Sequence, residues 1–470
     1  MVGRANRGPV PLILRQPYPF RPTSGRLPLA LQRVAGEGKN QGMTRLNRIF
    51  YGWWILAACS VVASIVSATQ SYGFSLFFVP LTTEFGWSRA ALSGVMSLAR
   101  LEGGFLGPIE GILVDRFGPR RMMLIGIPII GVGFFCMSRL SEIAAALSID
   151  TLLAFYGIWV VLIAGGTAIG TSTPAQTAVA NWFVRRRGLA LGLYSSSIGV
   201  GAASLVPFLA HIIETDGWRV AALVAGGTAV AIGIPAALLV RHRPEDYGYL
   251  PDGDTQVLPT TTTSSLDGTR AVEHNFTMRQ ALATKAFWVL AFAFGFRVMV
   301  TSAVIIHLPA LLQDMGFGAV EAASAVSAVA ALSVAGRLGL GWLGDRWDKR
   351  SVYIGALAAM AGGLLLLAFA AEAWHIIVFL VLYSPAYGGL ASLQLALRGD
   401  YFGRRAFATI AGAMGPITTV GTITGPLFAG LAFDLSGSYR IAMLFFAAAT
   451  AVNIVLMAAL RQPQAADMPA

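Results

Sequence analysis

Among its 470 residues the chain has only two cysteines and five histidines. Cys59 and Cys136 both fall inside long apolar runs, and we interpret them as small buried hydrophobic residues, since two such residues build neither a disulfide framework nor a zinc site. The sequence also lacks a Walker phosphate-binding loop and any constellation of Ser, His and Asp. We therefore expect no catalytic residue, no metal, no cofactor and no ATP-driven activity.

Charged residues are scarce as well, at 12% of the chain, whereas 56% of the residues are hydrophobic and the mean hydropathy is +0.66. This balance is too apolar for a soluble domain of such length. The apolar runs are roughly 18 to 30 residues long, enough to cross about 30 Å of hydrocarbon. A globular core would need helices with polar faces, but these runs are apolar almost all round. They lie at residues 51–80, 89–113, 122–139, 152–178, 188–212, 218–240, 286–312, 321–343, 351–371, 374–396, 406–432 and 439–460.

Two phrases recur along the chain. GILVDRFGPRR, at Gly111–Arg121, returns as GWLGDRWDKR, at Gly341–Arg350, with its aspartate 230 positions later. NWFVRRRG, at Asn181–Gly188, returns as DYFGRRAF, at Asp400–Phe407. Parallel repeats of this size in an apolar chain are typical of transporters. We predict an all-α membrane protein with twelve transmembrane helices in two pseudo-symmetric six-helix bundles.

Basic residues cluster in every second loop between the predicted helices, and the loops between them carry mainly acidic residues. By the positive-inside rule this pattern places both termini in the cytoplasm of an integral plasma-membrane protein, and a bacterial inner membrane is the one we expect. The net charge of +11 then reflects topology, so we expect no nucleic-acid partner.

Two segments lie outside the predicted bundles. Residues 1–42 carry seven basic residues and one acidic residue, which indicates either a disordered basic tail at a lipid surface or a start assigned too early, with Met43 as the first residue. Residues 241–285 include the tract TTTTSS and predict a cytoplasmic linker, with a short amphipathic helix near Phe276–Leu282. This division leaves a first half at residues 43–240, a second half at 286–462 and a tail at 463–470.

The phrase at Gly111–Arg121 follows the pattern G-x-L-x-D-R-x-G-x-R-R and has a weaker echo between the eighth and ninth predicted helices. It resembles the signature loop of the major facilitator superfamily, and the resemblance covers Tyr51 to about Arg461. YGWW from Tyr51, FGWSR from Phe85 and WFVRRRGLALGL from Trp182 are similar to the monocarboxylate and oxalate-formate branch. The resemblance implies the major facilitator fold and a secondary transporter of a small molecule, not an enzyme.

The chain departs from that branch at two places. The branch pattern implies a basic residue in the first helix and an Asp–Arg pair in the eighth. Here Trp53–Pro80 contains no Lys, Arg or His, and the eighth helix is uncharged between Glu321 and Arg337. Coupling to protons would then need another carrier. The candidates are Glu102 and Glu110 in the second helix and His307 near the outer end of the seventh.

The repeated phrases also indicate a conformational role. Gly111 permits two helices to approach closely, and Asp115 lies near a helix end, where it could pair with Arg116, Arg120 or the basic start of another helix. Such a cluster can hold one conformation and be released in another; the alternative is a charge cluster that only fixes topology. The residues assigned to this gating loop are Gly111, Asp115, Arg116, Gly118, Arg120, Arg121, Gly341, Asp345 and Arg346.

Arg100 and Arg297 fall deep inside predicted helices. Arg100 precedes Gly111 by 11 residues, about 16 Å of helix, and Arg297 follows Ala286 by 11 residues, so both lie near the bilayer midplane. An arginine in hydrocarbon is costly and must face a wet cavity or a partner. One arginine from each half is the arrangement expected of a central anion site, so we predict an anionic substrate.

The alternative for Arg100 is a network with Glu102 or Glu110 that locks the packing of the second helix. Arg100 and Glu102 are two residues apart, about 200° around a helix, so we do not expect both to face one cavity squarely. The other residues predicted to bind substrate are Gln70, Tyr72, Tyr383 and Tyr387.

Together these patterns predict a secondary transporter that moves a small organic anion, such as a monocarboxylate, by alternating access in a lipid bilayer. A proton or a counter-substrate is the expected coupling partner. Efflux of amphipathic compounds is the alternative, and it would need acidic and aromatic cavity walls. A sensor that binds a solute without moving it is less favoured, because the chain has no sizeable soluble output domain.

Overall fold

Every regular element in the described part of the chain is helical. The computed structural model describes residues 50–253 and 276–463. Its twelve long helices overlap the twelve predicted runs, and the predicted all-helical membrane class is confirmed. They are α1 Tyr51–Gln70, α2 Arg89–Phe117, α3 Pro119–Ser138, α4 Thr151–Trp182, α5 Arg187–Asp216, α6 Trp218–Leu239, α7 Lys285–Asp314, α8 Ala319–Arg346, α9 Lys349–Ala368, α10 Ala373–Phe402, α11 Phe407–Ser436 and α12 Arg440–Ala459.

Among the described residues, eleven of these helices are long and apolar enough to cross a membrane. The exception is α2, which has 29 residues but carries Arg100, Glu102 and Glu110 along its length. Ionisable residues inside a spanning helix are costly unless they face the protein interior or water. The polar middle of α2 therefore marks a candidate site.

Two helices contain π turns, which are wider than α-helical turns. After its first four turns, α1 ends in a π turn at Ser67–Tyr72, and a 3₁₀ turn at Gly73–Phe77 follows it. α4 contains π turns at Ile158–Ala164 and Ala168–Ser172. π turns are rare and are frequently found at functional sites, whereas 3₁₀ turns are common. Residues from these turns line a cavity beside α2.

Buried apolar side chains form two large clusters. One is built from α1–α6 and includes Trp159 and Trp182, and the other is built from α7–α12 and includes Tyr353 and Tyr383. α3 packs against α6, and α9 packs against α12, so the two sets of six helices repeat the same pairing. The two pseudo-symmetric bundles expected from the repeated phrases are therefore present.

The two sets of helices meet through two equivalent pairs. α2 packs against α11, and α5 packs against α8. The repeated phrases make α8 the counterpart of α2 and α11 the counterpart of α5, so the same contact is made twice. Both pairs meet where α2 and α8 end and where α5 and α11 begin. We call this side of the bundle the basic end, because the arginine-rich loops lie there.

The segment after α6 is attached to the first six helices. Arg241 lies over the rings of Tyr51 and Tyr247, at 4.0 Å and 4.5 Å from their centroids. Asp252 accepts hydrogen bonds from three consecutive backbone N–H groups in the loop between α4 and α5. This part of the predicted linker is therefore folded against the bundle.

The short helix predicted near Phe276–Leu282 is present at Met278–Ala283. Thr277 caps it, accepting a hydrogen bond from the Gln280 N–H while the Gln280 side chain accepts one from the Thr277 N–H. The predictions for residues 1–42, for Met43 as the start and for the tract TTTTSS lie outside the described residues.

Candidate functional site

Asp115 lies in the last turn of α2 and caps the start of α11. Its carboxylate accepts hydrogen bonds from the backbone N–H groups of Ala408 (3.2 Å) and Thr409 (2.8 Å), and from the Thr409 hydroxyl (2.7 Å). The first N–H groups of a helix have no partner inside the helix, and they carry the positive end of its dipole. The carboxylate therefore ties α2 to α11.

Asp345 makes the same contact at the other pair of helices. It accepts hydrogen bonds from the backbone N–H groups of Gly188 and Leu189, both at 2.8 Å, at the start of α5. The 230-residue repeat therefore places two helix caps at the basic end, one for each pair of helices.

The arginines of the repeated phrase do not pair with Asp115, contrary to two of the three partners expected for it. Within residues 50–253 and 276–463 Asp115 has no ion pair, and the start of another helix is the partner found. Arg116 lies against the Phe117 ring at 5.6 Å, and Arg346 lies over the Trp342 ring at 3.9 Å. Backbone N–H groups and the Thr409 hydroxyl hold the carboxylate instead of the arginine side chains.

Close approach of the paired helices depends on glycine. A Cβ atom added at Gly111 would lie 2.3 Å from the carbonyl oxygen of Ala408, and one added at Gly341 would lie 2.6 Å from that of Gly188. Any side chain at these positions would push the helices apart. Gly118 serves the turn into α3, where its φ of 83° is a left-handed value that favours glycine.

An ion-pair cluster at the basic end was not predicted. Asp400, near the end of α10, binds Nη1 of Arg187 and Nζ of Lys349, both at 2.8 Å. Arg187 is only 1% exposed, so solvent screens this pair weakly. Arg404, in the loop that precedes α11, forms an ion pair with Glu245 at 2.9 Å. This pair links the loop to the segment after α6. The sequence signal that pointed to this cluster was the second repeated phrase, because its two copies contain Arg187 and Asp400.

A cavity of about 350 Å³ lies between α1, α2 and α4. It brings together Arg100, Glu102 and Glu110 of α2 with Gln70 from the π turn of α1. Four predicted site residues therefore share one cavity, and no aromatic side chain is among its lining residues. The others are Met96, Ala99, Gly103, Ala164, Thr167, Ala168, Ser172 and Thr173.

Arg100 and Glu102 both line this cavity, which differs from the expectation that they would not both face it. The reason is that three helices bound the cavity, so it is broader than one helical face. A Cβ atom added at Gly165 of α4 would lie 3.6 Å from Oε1 of Glu102, so this carboxylate lies against α4.

Arg100 is exposed to the cavity and makes no hydrogen bond or ion pair with any described residue. The alternative network with Glu102 or Glu110 is therefore not formed in the part of the chain that the structure describes. Glu110 is only 7% exposed and likewise has no cation partner there. An unpaired arginine inside a spanning helix requires water or a bound anion.

Arg297 lies on α7 and faces α10. Its Nε donates to Oε1 of Gln394 at 2.9 Å. No other hydrogen bond of Arg297 occurs among the described residues, so both terminal amino groups of its guanidinium can bind a ligand. Arg297 does not line the 350 Å³ cavity, so in this conformation the two predicted arginines occupy separate positions.

The predicted tyrosines differ in accessibility. Tyr383 is fully buried and stacks on Phe379 and Tyr387, with ring centroids 4.9 Å and 6.1 Å away. Burial closes Tyr383 to direct contact with a solute in this conformation, whereas Tyr387 is half-buried. Tyr72 ends the π turn of α1, and its side chain lies outside the described part of the structure.

His307 is held through both ring nitrogens. Nε2 lies 3.0 Å from the carbonyl oxygen of Pro426, and Nδ1 lies 3.1 Å from the hydroxyl of Tyr439. A carbonyl can only accept, so Nε2 carries a proton and donates to Pro426. This arrangement joins α7 to α11 and to the start of α12, and it favours a structural role over proton transfer.

The model of the Major Facilitator Superfamily matches residues 60–349 and 321–469 of the chain. Monocarboxylate transporter 12-B of Danio rerio is 24% identical over 407 residues, which cover 83% of this chain and 82% of that protein. Monocarboxylate transporter 3 of Rattus norvegicus is 28% identical over 417 residues, which cover 86% of this chain and 78% of that protein.

Solved structures share the arrangement of helices despite low sequence identity. The transporter FucP in its outward conformation has a TM-score of 0.65 at 17% identity, over 87% of this chain and 99% of FucP. The human organic anion transporter MFSD10 has a TM-score of 0.57 at 13% identity, over 87% of this chain and 97% of MFSD10. The likeness extends over nearly the whole of both structures.

Proposed function

The chain belongs to the Major Facilitator Superfamily, and we propose that this secondary transporter, which is not an enzyme, carries a small organic anion across the membrane together with a proton. The observation that carries the proposal concerns Arg100, which lies in the middle of a spanning helix. Its side chain is exposed to a cavity and has no ion pair or hydrogen bond among the described residues. A guanidinium in this setting is neutralised by an anion. The names of the monocarboxylate transporters among its relatives support a carboxylate as that anion.

In this proposal Arg297 is the second residue that binds the negative charge of the substrate. Arg100 lies in the interior of α2, which runs from Arg89 to Phe117, and Arg297 lies in the interior of α7, which runs from Lys285 to Asp314, so both lie well inside their spans. Gln394 fixes the Nε of Arg297 and leaves the outer edge of the guanidinium for two parallel bonds to a carboxylate.

The basic end is the cytoplasmic end in this proposal, as the positive-inside rule requires, and both termini lie in the cytoplasm of a plasma membrane, the inner membrane of a bacterium. The described conformation is then closed toward the cytoplasm by the caps at Asp115 and Asp345. The halves, residues 43–240 and 286–462, rock about the central site, and both caps break when the cytoplasmic side opens.

Glu102 and Glu110 are the proposed proton carriers. Both line the Arg100 cavity and lie eight residues apart on α2, about 12 Å along its axis. A carboxylate inside a spanning helix is costly when it is ionised without a cation partner. Binding one anion and one proton together leaves the net charge of the cavity unchanged. The loaded and the empty transporter then cross the same electrostatic barrier.

Glu110→Gln is expected to separate transport from the pH gradient. Net uptake driven by an inward proton gradient should fall by about tenfold, within the range of ordinary coupling energies. Exchange of internal for external substrate should persist, because in exchange the carrier always returns loaded. Uptake into proteoliposomes under net-flux and exchange conditions measures both, and Glu102→Gln tests the other carboxylate. An equal loss of both activities would make Glu110 a structural residue.

The substrate class is tested by thermal stabilisation of the purified protein with acetate, pyruvate, lactate, oxalate, succinate, amino acids, sugars and lipophilic cations. A ligand at a hundred times its Kd stabilises a protein by about 2.7 kcal/mol. We expect the carboxylates to raise the melting temperature and Arg297→Ala to weaken that response. Stabilisation by the lipophilic cations alone would favour efflux of amphipathic compounds, for which the aromatic walls are missing among the cavity's lining residues.

A further inference from the structure

A second pocket, of about 450 Å³, opens at the basic end where α2 ends and α3 begins. Arg116, Arg120 and Arg121 all line it, and none of them has an ion pair or hydrogen bond with another described residue. The other lining residues are Phe117, Gly118, Leu124, His242 and Tyr247. Three cations therefore converge on one pocket whose lining residues include no carboxylate.

Two cations in the second copy of the repeated phrase have partners that the cations of the first copy lack. Lys349 binds Asp400 at 2.8 Å, and Arg350, the counterpart of Arg120, donates to the carbonyl oxygen of Ala458. Arg346 lies over the ring of Trp342, as Arg116 lies against that of Phe117. Both loops lie at the same end of the bundle, so topology alone does not require the difference. The unpaired cations of the first loop are therefore a separate feature of the chain.

His242 completes a set of groups that suits an anion. Its ring lies over the turn at Gly118, where an added Cβ atom would be 3.4 Å from Nδ1, and this nitrogen is buried without a partner among the described residues. Burial, and then the neighbouring Arg243, lower the pKa of His242 below its usual value, so at neutral pH the ring is an uncharged hydrogen-bonding group. Pro119 begins the 20-residue helix α3 beside it, and the first turn of that helix offers free N–H groups.

The surface beside the pocket is apolar and exposed. Phe117 is 44% exposed, and Ile112, one helical turn before Arg116, is 51% exposed. Ile125, one turn after Arg121, is 53% exposed. In a membrane these side chains contact acyl chains, so a ligand that joins a phosphate to acyl chains fits both surfaces. Free phosphate would use the pocket alone.

We propose that the pocket of Arg116, Arg120, Arg121 and His242 binds the phosphate headgroup of an anionic phospholipid in the leaflet at the basic end. Guanidinium groups hold phosphate oxygens through paired hydrogen bonds. Basic pockets at the ends of spanning helices are suited to lipid headgroups. The site shares no residue with the cavity of Arg100, so it does not depend on which solute is carried.

The test is native mass spectrometry of the full chain, purified in detergent and mixed with phosphatidylglycerol, phosphatidylcholine or inorganic phosphate. The unaltered protein is expected to retain phosphatidylglycerol and not phosphatidylcholine. The triple variant R116Q/R120Q/R121Q is expected to retain about tenfold less phosphatidylglycerol, since each arginine contributes to attraction at the surface. Arg346→Gln removes the repeat counterpart of Arg116 and is expected to retain phosphatidylglycerol like the unaltered protein.

If the triple variant does not fold, Arg121→Gln alone replaces it, because this side chain is exposed and its loss is expected to lower retention about threefold. Equal retention by the unaltered protein and the folded arginine variant would overturn the site. Equal loss in Arg346→Gln would show a general charge effect and would also overturn it. Retention of inorganic phosphate as strong as that of phosphatidylglycerol would overturn the lipid site and reassign the pocket to a free anion.

Discussion

Replacing Arg100 with glutamine is expected to reduce carboxylate uptake by about tenfold to a hundredfold. Hydrogen bonds to a charged group contribute about 1.5–3 kcal/mol, and about 1.4 kcal/mol is a factor of ten in affinity. The variant also leaves Glu102 and Glu110 as the only ionisable residues that line the cavity, so an anionic substrate meets no positive charge there. The measurement is the initial rate of labelled pyruvate uptake into proteoliposomes, below the half-saturating concentration.

Two companion variants separate the causes of that loss. Arg100→Lys keeps the charge but not the two parallel bonds, so uptake should fall between the unaltered protein and the glutamine variant. Arg279→Gln removes an exposed arginine of the short helix Met278–Ala283 and should transport normally. Normal uptake by Arg100→Gln itself would remove this cavity from the transport path.

Gly412→Ala is expected to lower uptake by about tenfold through a steric effect. A Cβ atom added at Gly412 in α11 would lie 1.9 Å from the carbonyl oxygen of Gly107 in α2. The clash is with backbone, so it is relieved only when the two helices move apart. Overpacking of this kind costs about 1–3 kcal/mol and works against closure of the basic end.

The opening is measured with spin labels at residues 186 and 347, which are exposed at the basic end on opposite halves, after Cys59 and Cys136 have been replaced by alanine. Pulsed electron paramagnetic resonance should give longer distances for Gly412→Ala than for the parent. Gly339→Ala is the matched control, because a Cβ atom added there in α8 meets nothing within 4 Å. Unchanged distances in Gly412→Ala would show that this glycine does not set closure.

The fold was predictable because a membrane imposes a simple rule on sequence. A chain in hydrocarbon must satisfy its backbone within each helix, so every span is a run of sufficient length and apolarity. The repeated phrases added the division into two equivalent halves, and Asp115 and Asp345 occupy equivalent places in the structure. α2 is less apolar than the other long helices because it carries Arg100, Glu102 and Glu110. These three residues line the cavity.

The partners of the site residues were harder to predict. Asp115 had three possible partners by spacing, and the choice depends on how the two halves close, which no single helix encodes. Asp400 and Arg187 are 213 positions apart, and only the packed bundle brings them together. A helical projection separated Arg100 from Glu102, but the π turns of α1 and α4 shape a cavity that this projection does not represent.

The most direct test of proton-coupled anion transport is the internal pH of proteoliposomes during pyruvate uptake, followed with a trapped fluorescent indicator at zero membrane potential. The proposal predicts a protein-dependent acidification of about one proton per pyruvate, since one of each binds in the cycle. Arg100→Gln and protein-free liposomes should show only the slow leak of the uncharged acid. Protein-dependent pyruvate uptake without any change in internal pH would contradict the coupling, and the absence of protein-dependent uptake of every carboxylate would contradict the anion site.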